Sequence, residues 1–205
     1  LRDITATVES IDLIASSIMS KKLASGVDKI LLDVTVGSGA FMKNIEDARK
    51  LAKTMVEIGN LAGVSTKAII TSMEEPLGRC VGNALEVKEA IDFLLSDENA
   101  LLSDEMKDLR EVVFEISAYM MQMAGVSNDI EQNKKDILRC IVSGRAYEKF
   151  IELIQAQGGM TEEVYIDWKA KNMEFPVLKD KARYFKEIHA QNSGCILAID
   201  SKKIG

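Results

Sequence analysis

The amino-acid sequence predicts an α/β fold in which a parallel sheet is flanked by helices. Two apolar runs rich in branched residues, 29–36 and 65–73, have the composition of strands buried inside a parallel sheet. The segment between them, from Asn44 to Gly63, carries apolar residues at helical spacing. A strand, a crossover helix and a second strand of this kind form a βαβ unit, in which the two strands run parallel.

Further helices are predicted on both sides of this unit. The residues before the first strand contain an N-cap, Ser10, then apolar residues at helical spacing, and then a C-terminal stop, Gly26. Residues 82–157 are helical in pattern almost without interruption. Two strand-like runs come after residue 180, and they predict a separate β-rich region that begins near residue 175.

Composition and charge exclude several classes of protein. The chain has 205 residues, of which 47% are hydrophobic and 28% charged, as in an ordinary soluble globular protein. Its net charge of -6 provides no general attraction to nucleic acid or to an anionic membrane surface. No apolar run approaches the roughly 20 residues that span a bilayer. The first residues do not have the pattern of a signal sequence, so we expect that the chain as written is not secreted.

The three cysteines, Cys80, Cys140 and Cys195, are far apart and lack the spacing of metal ligands. An odd number of cysteines in a chain of this length argues against a disulfide framework. We therefore expect reduced thiols in a cytoplasmic protein. The chain begins at Leu1 without a methionine and ends at Gly205 directly after a strand-like run, so we expect both ends to be cuts through a longer protein.

A hydroxyl and an ammonium group lie on one face of the first predicted helix. Ser17 and Lys21 are four residues apart, which places their side chains one turn apart. Together they could donate to and accept from a planar heterocycle with carbonyl and N–H edges, and Arg2 could add further donors. From spacing alone, however, a solvated helix face is the favoured interpretation.

The glycines that follow the first predicted strand resemble half of a dinucleotide-binding fingerprint. The third glycine and the acidic residue of the full fingerprint are absent from "VGSGAF". A tight turn with positive backbone dihedrals is therefore the favoured interpretation of Gly37 and Gly39.

The segment "EEPLGRCVGNALEVKEA", residues 74–90, turns sharply before a predicted helix that carries Glu86 and Glu89. Exposed backbone carbonyls and one carboxylate in such a loop could hold a hard cation. Spacing alone gives this site only weak support, because glycines often precede helices.

Two stretches carry a resemblance to a known family. Residues 1–42, "LRDITATVESIDLIASSIMSKKLASGVDKILLDVTVGSGAFM", and residues 74–91 together resemble the pyrimidine-nucleoside phosphorylase and thymidine phosphorylase family. The resemblance covers essentially the whole chain and is densest over residues 1–95. It implies a pentosyltransferase (a glycosyltransferase) that acts in pyrimidine salvage. The reaction implied is the reversible phosphorolysis of uridine or thymidine to the free base and a pentose 1-phosphate.

The resemblance also implies a role for the first helix. Arg2, Ser17 and Lys21 correspond to the residues that bind the pyrimidine base in the family. Negative charge develops on the departing base, and fixed donors stabilise that charge more in the transition state than in the bound nucleoside.

A potassium ion is the second implied ligand, with phosphate as co-substrate. By resemblance, Leu77 and Cys80 would offer backbone carbonyls to the ion, and Glu89 would offer its carboxylate. Cys80 stands where the family often has alanine, which is tolerable for a backbone ligand. Thr35 stands where the family usually has lysine, and its effect on packing or on domain closure stays open.

The family architecture implies three regions in this chain. Residues 1–26 would be a helix of a small all-helical domain that binds the base, and residues 27–174 an α/β domain with a helical region. Residues 175–205 would be the start of a truncated, β-rich C-terminal subdomain. The family's phosphate-binding loop and its histidine beside the sugar would precede Leu1, so no catalytic residue is assigned to this chain.

From this we expect the 205-residue chain alone to be inactive, and its parent to be a homodimer that binds neither nucleic acid nor membrane. The alternatives are a thymidine-specific phosphorylase and a non-catalytic fragment or interaction module. The related phosphoribosyltransferase branch fits the motifs less well.

Overall fold

The computed structural model describes residues 10–159, 184 and 186–204. Two strands form in this part of the chain, β1 (Lys29–Val36) and β2 (Ser65–Ser72). The helices are α1 (Ile11–Ala24), α2 (Ile45–Leu61), α3 (Asn83–Leu95), α4 (Glu98–Leu101), α5 (Lys107–Ala124), α6 (Ile130–Val142), α7 (Arg145–Ala156) and α8 (Ser201–Ile204). A single 3₁₀ turn, Asp104–Met106, precedes α5.

The chain divides into two compact units. Unit 1 comprises Leu1–Leu77, Asp108–Ile137 and Ala198–Gly205, and it holds both strands. Unit 2 comprises Gly78–Lys107 and Leu138–Leu197.

The sheet of unit 1 is parallel, as the sequence predicted. β1 and β2 pair from Lys29 opposite Ser65 to Val36 opposite Ser72. The crossover is α2, whose N-cap Asn44 accepts a hydrogen bond from the Asp47 amide at 2.8 Å. The prediction of an α/β fold with a parallel sheet and flanking helices is therefore confirmed.

The core of unit 1 lies between one face of the sheet and helices α1 and α2. Alternate β1 residues point into it, because side chains alternate along a strand. Its buried members are Ile14, Ala15, Met19, Ile30, Leu32, Val34, Met42, Ala48, Leu51, Ala52 and Met55. We expected β1 to be buried on both faces, but Lys29 and Asp33 on its other face are exposed among the described residues.

Helix α1 packs on α2 within this core. Its predicted assignment to a separate helical domain stays a prediction.

Unit 2 has its own small core between α3 and α7. Ile91, Tyr147 and Ile151 are buried there, and the rings of Tyr147 and Phe150 lie 6.3 Å apart. Leu94 and Ile154 pack around them. Tyr147 is the largest fully buried side chain of the described residues.

The β-rich subdomain predicted from residue 175 lies only partly within the described residues, which here are 184 and 186–204. Residues 186–200 are described and contain neither helix nor strand. A strand needs a neighbour to pair with, and the described part of the chain supplies none to this segment. The subdomain therefore stays a prediction.

Candidate functional site

The first part of the candidate site lies on α1. Ile14, Ala15 and Met19 are buried and fix the helix against the core of unit 1. Ser17 is half-buried and Lys21 is exposed in the last turn, so the predicted spacing of one turn is realised. Within the described residues, neither the Ser17 hydroxyl nor the Lys21 ammonium has a hydrogen-bond or ion-pair partner, so both are available to a ligand.

Arg2, the third predicted base contact, lies outside the described residues. The structure thus brings two of the three predicted base-binding residues onto one helix. Two neighbours of the same residue types, Ser16 and Lys22, are exposed on the same helix. They are natural controls for tests of Ser17 and Lys21.

The glycine turn after β1 is closed against the chain that leaves β2. Gly37 has φ 138°, and a Cβ there would lie 2.7 Å from the Met73 carbonyl carbon. The Gly39 amide donates to the Met73 carbonyl at 2.9 Å. The prediction of a tight turn with a positive φ is confirmed at Gly37. Gly39 does not have a positive φ, and glycine fits there because a Cβ would lie 3.1 Å from the Met73 carbonyl oxygen.

A side chain that sequence reasoning missed occupies this turn. The Ser38 amide donates to a carboxylate oxygen of Glu74 at 3.0 Å, and the Ser38 hydroxyl donates to the Glu74 carbonyl at 3.1 Å. Lys43 donates to the Ser38 carbonyl at 2.7 Å. Because the Ser38 amide already donates to Glu74, it is not available to a phosphate or other anion. The turn therefore has a structural role, since it connects the end of β1 to the chain after β2.

A second, separate candidate site is the loop that precedes α3, in unit 2. One oxygen of Glu89 accepts from the Arg79 amide at 2.7 Å, and the other accepts from the Cys80 amide at 3.4 Å. Gly78 has φ 73°, and a Cβ there would lie 2.5 Å from Glu89 Oε2. Glu86 accepts from the Gly82 amide at 2.9 Å. Two carboxylates of one helix therefore hold the loop through its backbone.

Carboxylates surround the Cys80 thiol in this loop. Burial raises the pKa of the Cys80 thiol, and the nearby Glu89 carboxylate raises it further. The thiol is therefore protonated at neutral pH.

The predicted potassium ligands are divided between the units. Leu77 is the last residue of the first segment of unit 1, and Cys80 and Glu89 belong to unit 2. The Leu77 and Cys80 carbonyls accept no backbone hydrogen bond within the described residues. No cluster of three or more His, Cys, Asp or Glu side chains suited to a metal occurs in 10–159, 184 or 186–204.

None of the helices described is long and apolar enough to cross a membrane.

Comparison with known proteins then assigns the chain. Residues 1–147 match the family model described as glycosyl transferase family, a/b domain. The chain belongs to this family. Within the glycosyl transferase family, its relatives include the pyrimidine-nucleoside phosphorylases of Staphylococcus aureus strains USA300, NCTC 8325 / PS 47 and COL. Each is 46% identical over 205 residues, which is 100% of this chain and 44% of the relative.

The resemblance to pyrimidine-nucleoside phosphorylases is thereby confirmed. The chain spans less than half of the length of these curated relatives.

Proposed function

We propose that this chain is part of a pyrimidine-nucleoside phosphorylase that catalyses reversible phosphorolysis of uridine and thymidine. The products would be the free base and ribose or deoxyribose 1-phosphate. The observation that carries the proposal is the 46% identity over the whole chain to curated pyrimidine-nucleoside phosphorylases. The Ser17 and Lys21 side chains, which have no partner among the described residues, support it, because they lie one turn apart on a helix that packs into the core of unit 1.

In this mechanism the role of α1 is to bind and stabilise the leaving base. When phosphate attacks the sugar C1′, the bond to the base nitrogen breaks and its electron pair passes to the base. The Lys21 ammonium would then face a carbonyl oxygen that gains negative charge, and the Ser17 hydroxyl would hydrogen-bond the edge of the ring. Donors that are already fixed need no reorganisation as this charge develops. Arg2 would add a third donor by resemblance.

The test uses a longer polypeptide in which this chain replaces the matching 205 residues of the S. aureus relative. We expect Lys21→Ala to lower kcat/KM for uridine by about 100- to 1000-fold, as for loss of one donor to a developing anion. Ser17→Ala should have a smaller effect in the same direction. The matched controls, Lys22→Ala and Ser16→Ala, should retain activity.

Equal activities of Lys21→Ala and Lys22→Ala would overturn the assignment of base binding to α1. Rates with uridine, thymidine and deoxyuridine test the substrate range. Turnover of thymidine with none of uridine would replace the proposal by the thymidine-specific alternative. The 205-residue chain by itself should not release uracil from uridine in the presence of phosphate.

A potassium ion is part of the proposal, with Leu77, Cys80 and Glu89 as its ligands. Within unit 2, a Cys80 carbonyl without a backbone partner and the Glu89 carboxylate support the proposal, because both are oxygen donors that suit a hard cation. A carboxylate accepts about four hydrogen bonds, so the two amides that Glu89 already binds leave capacity for a cation. When bound, the ion would supply fixed positive charge that orders the loop.

Replacing potassium by sodium should lower the activity of the longer polypeptide, and Glu89→Gln should lower the response to potassium. Glu86→Gln is the control, since Glu86 binds only the amide of Gly82 in this loop. Activity that is indifferent to the exchange of cations would contradict these ligands. We propose, finally, that the parent is a cytoplasmic homodimer, and sedimentation of the longer polypeptide tests its oligomeric state.

A further inference from the structure

Helix α2 contains a glycine that its backbone does not require. Gly59 is buried within α2 and, unlike Gly63, which follows the helix with φ 82°, it does not have a positive φ. Glycine also favours a helix less than alanine does. The reason for a glycine at position 59 therefore lies in the side chains that surround it.

Two side chains occupy the space that a Cβ at Gly59 would need, and both belong to unit 1. From β2, the Thr66 hydroxyl oxygen would lie 2.0 Å from this Cβ. From α1, the terminal methyl carbon of Met19 would lie 3.1 Å from it. Met19 is 0% exposed and Thr66 is 4% exposed, so neither side chain has a free path into solvent. At Gly59, side chains of α1 and β2 therefore both come up against the α2 backbone.

Thr66 is the fixed side of this contact. Its hydroxyl donates to the Val64 carbonyl at 2.9 Å, and its amide donates to the Asn60 side chain at 3.0 Å. The Val64 amide donates to the Gly59 carbonyl at 3.0 Å, which holds the segment before β2 against the helix. Met19 is held by apolar packing alone. A group added at Gly59 should therefore displace Met19 and α1 more readily than β2.

Met19 lies on the side of α1 opposite the donor pair. Ser17 and Lys21 are each two residues from Met19, which places them about 160° around the helix axis from it. The burial agrees, because Ser17 is half-buried and Lys21 exposed, whereas Met19 is fully buried. A close-packed core transmits displacement, so a shift of Met19 moves both donors with the helix.

We propose that Met19 and Gly59 are positioning residues for the departing base. The bare backbone at Gly59 allows Met19 to pack closely, and this contact sets how far the Lys21 ammonium and the Ser17 hydroxyl lie from the base. This role rests on the proposed function, which makes the α1 pair the base contacts, and it adds two residues that never touch the base. A misplacement of about 1 Å can cost about 100-fold in rate, so a shift of a few tenths of an ångström should cost about 10-fold.

The kinetics of Gly59→Ala in the longer polypeptide test this role. We expect kcat/KM for uridine to fall by about 10-fold. The fall with 5-fluorouridine should be smaller, because the fluorine withdraws electrons and the departing base then depends less on the donors of α1. Adding Met19→Leu shortens the side chain that faces position 59 and should restore most of kcat/KM for uridine.

Gly63→Ala is the matched control. Alanine strains the backbone there, since φ is 82°, but beyond the chain neighbours no heavy atom of the described residues lies within 4 Å of the added Cβ. This variant should lose unfolding free energy in urea and keep its kcat/KM, which separates a loss of stability from a displacement of α1. All rates are measured at a temperature at which circular dichroism shows every variant to be folded.

The Lys21→Ala background shows whether the effect passes through α1. Gly59→Ala should lower kcat/KM by only about 2-fold there, since the main donor that it displaces is already absent. An equal fall with and without Lys21, or equal falls with uridine and 5-fluorouridine, would overturn the positioning role.

The same set of variants separates this role from the proposed function. A loss of activity in Lys21→Ala together with an unaltered kcat/KM in Gly59→Ala would overturn the positioning role alone. Full activity in Lys21→Ala would overturn the assignment of base binding to α1, and the positioning role with it.

Discussion

The contact between α2 and β2 allows a stability prediction in which two opposing effects can be weighed. Gly59 is buried in α2, and a Cβ there would lie 2.0 Å from the Thr66 hydroxyl oxygen and 2.7 Å from Thr66 Cβ. Alanine favours a helix over glycine by about 1 kcal/mol. Overpacking a dense core costs about 1–3 kcal/mol. The outcome of Gly59→Ala depends on whether Thr66 can move.

Thr66 is held from two sides. Its hydroxyl donates to the Val64 carbonyl at 2.9 Å, its amide donates to Asn60 at 3.0 Å, and it is only 4% exposed. Moving it away would cost a further hydrogen bond, or about 1 kcal/mol. We therefore expect Gly59→Ala to destabilise the protein by about 1–3 kcal/mol, because overpacking and the lost hydrogen bond together exceed the gain in helix propensity.

Urea unfolding followed by circular dichroism measures this change, with the free energy taken from the midpoint at constant slope. The same substitution in a Thr66→Ala background should cost less by about 1 kcal/mol, since the oxygen at 2.0 Å is then absent. A Gly59→Ala variant that is more stable than the unaltered protein would refute the reasoning that Gly59 and Thr66 leave no room for a Cβ. Equal losses of unfolding free energy in the two backgrounds would refute it as well.

Two further predictions concern unit 2. Burial raises the pKa of Tyr147, so stability that is fully present below about pH 10, the pKa of tyrosine in an unfolded chain, should be lost as the pH rises toward the folded-state pKa. In urea titrations at alkaline pH, Tyr147→Phe should reduce the loss of unfolding free energy with rising pH. The control, Tyr184→Phe, changes a residue that is 91% exposed and should leave that loss unchanged. An equal loss in Tyr147→Phe and in the unaltered protein would contradict this prediction. Glu89→Ala should speed tryptic cleavage after the exposed Arg79 by about 5- to 10-fold, because the Arg79 and Cys80 amides lose the two Glu89 oxygens that accept from them. A cleavage rate equal to that of the unaltered chain would show that other contacts hold the loop.

Much of the fold could be predicted from the sequence because the signals are local. The apolar runs at β1 and β2 and the helical spacing of α2 lie within short windows, and a parallel crossover is the only simple way to connect them. The expected burial of both faces of β1 was wrong for Lys29 and Asp33, among the described residues, because burial depends on which elements cover each face.

The candidate site was predictable to a lesser degree. Ser17 and Lys21 are set one turn apart by helix geometry alone, which is why the sequence already placed them on one face. Their assignment to base binding came from the resemblance to a known family, because the same spacing is also typical of a solvated helix face.

By itself, the sequence determined the strands and helix of the βαβ unit, the parallel crossover and the family, because each depends on residue type and spacing along the chain. Only the tertiary structure decided that Glu74 occupies the glycine turn and that Glu89 binds the amides of Arg79 and Cys80. These contacts join residues 9 to 36 positions apart, whose approach is set by packing and not by any local pattern.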